Sequence, residues 1–154
     1  MNLEVTEIST NDDLSTLVKN INSASWDAAN EMATYDEPSL AQYLDREDTL
    51  FVVCYIGNIT GKKLGGFASS RIEHKPYGGE KWLYVDEVDV CVDCRRNGVG
   101  TAIMQYILQY AENADCEEIW LGTERDNIAA NALYNSLEPD DVESVVGFTF
   151  ELDE

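Results

Sequence analysis

The sequence predicts one mixed α/β domain. Three observations carry this expectation. The apolar, β-branched stretch from Glu80 to Val92 runs into a basic turn with glycines, and that turn opens into an amphipathic helix. The elements follow in the order β-α-α-β-β-β-α-β-α-β, which fits a mixed sheet. With 154 residues, 44% of them hydrophobic, the chain can bury a real core as a single domain spanning 1–154.

Taken in order, Leu3-Glu4-Val5-Thr6-Glu7-Ile8 alternates as a first strand, and Ser9 to Asp13 supplies turn and cap chemistry for a helix reaching about Ile21. Asn22 to Pro38 is polar and irregular, with Trp26 and Tyr35 as candidate substrate-loop aromatics. A short helix is expected over Ser39 to Arg46, then a strand over Thr49 to Ile56 and a turn from Gly57 to Gly61. Gly57-Asn-Ile-Thr-Gly61-Lys62 has its glycines one residue too close for a P-loop, and the sequon Asn58-Ile59-Thr60 has no meaning in a cytoplasmic protein. Lys63 to Ile72 reads as a strand with a Gly-Gly bulge, Lys75 to Gly79 as a turn, and Glu80 to Val92 as the long central strand. The following helix gathers Val99, Ile103, Ile107, Met104, Leu108 and Ala111 on one face. A short strand around Ile119 to Leu121 precedes a helix capped by Asp126 or Asn127, and Val145 to Leu152 is expected as a final strand.

Charge excludes some classes. With 30 acidic against 10 basic residues, the net charge is −20, and no basic stripe exists to neutralise nucleic-acid phosphates. Two accounts of the acidity are compatible. Molar salt, where the Debye length falls to about 3 Å, would screen it, or the field would steer a cationic amine. The scarcity of lysine favours the first. No apolar run is long enough to span a membrane and no signal-peptide pattern appears, so no membrane partner and a cytoplasmic location are expected. Cys54, Cys91, Cys94 and Cys116 are expected as free thiols. Cys91-Val-Asp-Cys94 lacks a second pair or a histidine cluster, since His74 is the only histidine, and no metal is expected.

Val85 to Thr101 reads VDEVDVCVDCRRNGVGT. A helix start leaves backbone N–H groups without intrahelical partners and carries partial positive charge. Gly98 and Gly100 let a ligand approach that backbone, so the turn suits a phosphate. Arg95-x-x-Gly98-x-Gly100 is neither a Rossmann fingerprint nor a Walker loop. After the next helix and strand comes Asn127-x-x-Ala130-x-x-Leu133-Tyr134. In this order and separation, the two segments resemble the pyrophosphate turn and the second cofactor segment of the GNAT superfamily of acetyl-CoA-dependent N-acetyltransferases. The resemblance implies a GNAT-like fold, an α+β arrangement in which a mainly antiparallel central sheet is flanked by helices, and acetyl-CoA as co-substrate. It implies cofactor contacts from Val88 and Val90 on the central strand, from Arg95, Arg96, Asn97, Gly98, Val99, Gly100 and Thr101 in the turn, and from Asn127 and Tyr134.

The same resemblance places the oxyanion donor at a backbone N–H near Val90, the general acid at Tyr134 and the base at Asp86 or Glu87. Alternation sends these two carboxylates to opposite faces unless a bulge intervenes, and Asp89 is expected at the surface. Asp36-Glu37-Pro38-Ser39, Tyr43-Leu44, Thr49 to Val53, Trp82 to Val90 and the ending Gly147 to Leu152 are similar to the bacterial aminoglycoside 3-N-acetyltransferases, whose strand Asp falls on Glu87. That group has Leu-Gly where this chain has Leu137-Glu138 and a histidine where it has Thr149, and Pro139 to Ser144 reads as an insertion. These departures bear on the acceptor. The leading expectation is acetylation of a cationic small amine, of aminoglycoside or polyamine type. The alternatives are acetylation of a protein lysine or N-terminus, and a non-catalytic acyl-CoA-binding module. A homodimer through the sheet or the final strands is compatible with the pattern and fixed by nothing in it.

Overall fold

The computed structural model describes residues 2–58 and 61–153, and by its internal contacts the chain divides at Gly122 into two units. The first holds a five-stranded sheet in the order β1-β2-β3-β4-β5. β1 (Asn2–Glu7), β2 (Thr49–Asn58), β3 (Gly61–His74) and β4 (Lys81–Val90) pair antiparallel in sequence. β5 (Glu118–Trp120) joins β4 in parallel, which requires a crossover, and α3 (Val99–Asn113) supplies it. α1 (Leu14–Ser23) and α2 (Glu37–Leu44) lie between β1 and β2 in the chain. Their starts are set by Asp13 and Asp36, whose carboxylates accept from Thr16 N at 3.1 Å and Ser39 N at 2.8 Å.

Each face of the sheet buries its own side chains. Phe51 and Val53 of β2 and Phe67 of β3 pack with Leu14, Leu17 and Ile21 of α1 and Leu40 of α2. Phe51 and Phe67 stack with ring centroids 5.4 Å apart. The opposite face carries α3, with Val99, Ile103, Met104, Ile107 and Ala111 buried. Leu108, expected on that face, is 39% exposed and marks its edge. A Cβ on Gly66 would meet Asp89 O at 2.6 Å and Val99 Cγ1 at 2.9 Å, so this glycine lets α3 and β4 close on β3.

Two bulges set the phase of the central strands. Gly65 is the extra residue of β3 opposite Cys54 and Tyr55, which is the expected Gly-Gly bulge. Asp86 is the extra residue of β4 opposite Ser69 and Ser70. β4 ends at Val90, two residues before the strand end expected, and Val92–Cys94 forms a 3-10 turn instead. The turn expected at Gly57 to Gly61 and its sequon include Ile59 and Thr60, which lie outside the described residues.

The second unit contains α4 (Ile128–Ser136), with Asn127 as its cap, accepting from Ala130 N at 3.1 Å. Asn131 Nδ2 bonds back to Asn127 O at 2.8 Å and fixes the entry turn. Glu138 follows the helix at φ 56°, a left-handed position that usually takes glycine. The strand expected over Val145 to Leu152 is absent. A strand needs a paired edge, and α4 is the only regular element described in residues 123–153. Val146, Phe148, Phe150 and Leu152 are 75–87% exposed there. No described helix is long and apolar enough to cross a membrane.

Candidate active site

The bulge at Asp86 decides where the acids of β4 point. Without it, strict alternation from Tyr84 would send Glu87 and Asp89 toward α3. The extra residue shifts the phase, so Glu87 stands opposite Ser69 and Asp89 opposite Phe67, on the face covered by α1 and α2. Asp89 is therefore buried, 3% exposed, which corrects the surface position expected from sequence. Asn30, from a 3-10 turn at Ala28–Asn30, donates to Asp89 Oδ1 at 3.1 Å. Asp89 Oδ2 has no hydrogen-bond partner. Burial, and then the neighbouring Glu87, raise the Asp89 carboxyl to about 7.

Glu87 is held from the loop before α2. Tyr35 donates its hydroxyl to Glu87 Oε1 at 2.9 Å, and Tyr35 is locked by reciprocal bonds between its backbone and the Asn22 side chain, both 2.9 Å. Its ring meets Phe67 edge-on at 5.5 Å. Burial and the adjacent carboxylate push the Tyr35 phenol well above its ordinary range, so it remains a donor. Trp26, the other loop aromatic, instead packs against Phe67 at 5.3 Å and donates its indole N–H to Ile21 O. Asp86 is exposed and pairs with Arg71 at 3.3 Å, which lies two residues from Ser69 on the same face of β3. The bulge thus puts both carboxylates on one side of the sheet, with different partners. Tyr43 donates to Ser70 O at 2.8 Å beneath them.

The other half of the site in this unit is the β4 edge and the turn after it. β5 pairs with β4 only from Trp82 to Tyr84, so no described strand covers that edge from Val85 to Val90. Val88 and Val90 lie on this open stretch. Beyond it, Asn97 donates to Cys94 O at 3.2 Å, Arg96 takes φ 67° and Gly98 takes φ 82° as the cap of α3. No side chain caps that helix, so its first N–H groups, those of Val99, Gly100 and Thr101, have no intrahelical acceptors. The exposed Arg95 and Arg96 flank the turn, with Arg95 bonded to Asp27 at 2.6 Å. Backbone donors, a helix dipole and two guanidinium groups suit a pyrophosphate. Cys91, Asp93 and Cys94 bring their ligand atoms within 4.8 Å. However, Lys63 holds Asp93 at 2.5 Å, Cys91 donates to Leu64 O at 3.2 Å, and burial raises both thiols. They are packed free thiols. In the second unit, α4 carries the cap Asn127 and, two turns on, Tyr134.

A family model described as the acetyltransferase (GNAT) family matches residues 16–138. The chain belongs to the acetyltransferase (GNAT) family. This GNAT protein is accordingly an acyltransferase, and its mixed sheet is the fold of solved relatives. An aminoglycoside acetyltransferase from an uncultured soil metagenomic sample, solved with sisomicin, is similar with a TM-score of 0.82 and 20% identity, covering 98% of this chain and 97% of that one. A second aminoglycoside acetyltransferase from such a sample gives 0.80 and 18%, covering 99% and 100%. A Staphylococcus aureus GNAT acetyltransferase gives 0.72 and 14%, covering 99% and 100%. No curated protein matches the GNAT chain by sequence.

Sequence reasoning missed Asp89 and Asn30 and gave Tyr35 only a general place in a substrate loop. Glu87-x-Asp89 is a visible i, i+2 pair. Nothing in the local sequence marks the bulge that turns it inward.

Proposed function

We propose that this protein is an acetyl-CoA-dependent N-acetyltransferase that acts on a primary amine of a cationic small molecule, of aminoglycoside or polyamine type. One observation carries the reading. A carboxylate, Glu87, is held by the half-buried phenol of Tyr35, and it lies on the strand whose uncovered edge leads into the phosphate-suited turn. The GNAT membership, the acidity of the chain and the aminoglycoside acetyltransferases among structures of the same fold support it.

An alkylammonium with a pKa near 10 must lose a proton before it attacks. Glu87 accepts that proton, directly or through water, while Tyr35 keeps the carboxylate oriented. The freed nitrogen lone pair forms the N–C bond to the thioester carbonyl, whose developing oxyanion takes a backbone N–H near Val90. As the C–S bond breaks, Tyr134 protonates the leaving thiolate. The remaining excess N–H proton then returns through solvent to restore the phenol. One proton leaves per turnover, with the amide and free thiol as products. Val88, Val90 and the turn from Arg95 to Thr101 would hold the acetyl and pyrophosphate parts of the co-substrate, with Asn127 beside its pantetheine arm.

Thiol release from acetyl-CoA tests this, measured against aminoglycosides, polyamines and lysine peptides at low and molar salt. Turnover on one polycationic class is expected, with kcat falling about 10²–10⁴-fold in Glu87→Gln. Turnover confined to lysine peptides would move the acceptor to proteins. Acetyl-CoA binding without turnover on any amine would remove the catalytic reading.

A further inference from the structure

Asp89 presents a problem that the mechanism above does not use. Its side chain is almost wholly buried, Asn30 satisfies one oxygen, and the other oxygen has no partner. A buried, unpaired carboxylate oxygen is costly, and the cost is relieved by a proton or by a cation. The groups facing Asp89 are Glu87 from its own strand, Asn30 from the 3-10 turn and the Tyr35 phenol from the loop, with the apolar Phe67 opposite on β3. None of them is cationic. Tyr35 already donates to Glu87.

We propose that Asp89 and Glu87 form a two-carboxyl ammonium subsite that holds one shared proton when empty and releases it when a cationic amine enters. The proposal rests on the amine-acetyltransferase reading and deepens it. A buried carboxyl beside a second one, with no cation facing it, resists ionising without a counter-charge, and Asp89 is in that position. A proton on Asp89 Oδ2, donated toward Glu87, supplies the missing partner in the free enzyme. An ammonium that binds at the half-buried Glu87 supplies the counter-charge instead, so the proton leaves Asp89 while Glu87 remains able to accept the ammonium proton for catalysis. The raised Asp89 carboxyl is consistent with this exchange. The structural roles divide cleanly: Asn30 fixes Oδ1, Tyr35 fixes Glu87, and Oδ2 is left for the proton.

Calorimetry on the intact protein, with sisomicin and spermidine as probes in buffers of different ionisation enthalpy, counts protons exchanged on binding. At about pH 6, close to one proton released per bound amine is expected, with affinity rising up to tenfold per pH unit below about 7. Asp89→Asn, which keeps the shape, should bind more weakly and release close to none. Equal proton counts in the two proteins, or binding of neither probe, would overturn the subsite. Carboxyl-carbon NMR of the free protein adds an arm that needs no ligand, since Asp89 fully ionised at about pH 5 would overturn it as well. Failure here leaves acetyl-CoA turnover on the amine panel as the separate judge of the enzyme reading.

Discussion

At the scale of single residues, the acids of β4 differ by environment rather than by type. Asp86 is exposed and paired with Arg71, Glu87 is half-buried and held by Tyr35, and Asp89 is buried with one oxygen unmatched. The raised Asp89 carboxyl has a consequence for stability that can be signed. The folded state keeps its proton up to about 7, whereas the unfolded chain loses it near 3.8. Between those values the folded state binds more protons, so this group makes stability fall as pH rises, by up to roughly 1.4 kcal/mol per pH unit. Thermal melts of Asp89→Asn against the parent should therefore differ in slope between about pH 4 and 7, the variant gaining relative stability as pH rises. Parallel curves would mean that Asp89 ionises at its ordinary value.

At the scale of elements, two backbone positions limit the fold. A methyl at Gly66 would press on the Asp89 carbonyl, which cannot move without shifting β4, and on Val99 at the start of α3. Gly66→Ala should cost about 1–3 kcal/mol and loosen the turn before α3, seen as a lower melting temperature and, on the proposed function, weaker stabilisation by acetyl-CoA. After α4, Glu138 sits in the left-handed region without the freedom of glycine. Glu138→Gly should stabilise by roughly 0.5–1 kcal/mol, read from denaturant midpoints, because the relief of the left-handed strain exceeds the entropy that glycine adds to the unfolded chain. The element signals themselves were legible. Asp13 and Asn127 cap the helices that follow, and the Gly65-Gly66 bulge lies where the strand pattern put it, whereas α2 starts behind Asp36 at Glu37, two residues ahead of the start expected at Ser39. The final strand was not legible, because alternation over Val145 to Leu152 describes a segment able to pair and says nothing of a partner.

At the scale of the whole molecule, the net charge of −20 acts on every equilibrium. Self-repulsion opposes compaction, and the same field opposes a polyanionic co-substrate while attracting a polycationic acceptor. Raising salt from about 0.1 to 1 M shortens the Debye length from about 10 to 3 Å. The melting temperature should rise and KM for acetyl-CoA should fall over that range, while KM for a polyamine rises. A KM for acetyl-CoA that is insensitive to salt would show that Arg95, Arg96 and the start of α3 already outweigh the global field. The sequence by itself determined the family, the order of elements from β1 to α4, the turn before α3 and the pair of candidate carboxylates Asp86 and Glu87, since caps, periodicity and short motifs are local chemistry. Only the tertiary structure decided which way the β4 acids face. One extra residue at Asp86 reverses every side chain after it, and what lies behind that strand, Tyr35 and Asn30 from a distant loop, then turns a surface acid into a buried one.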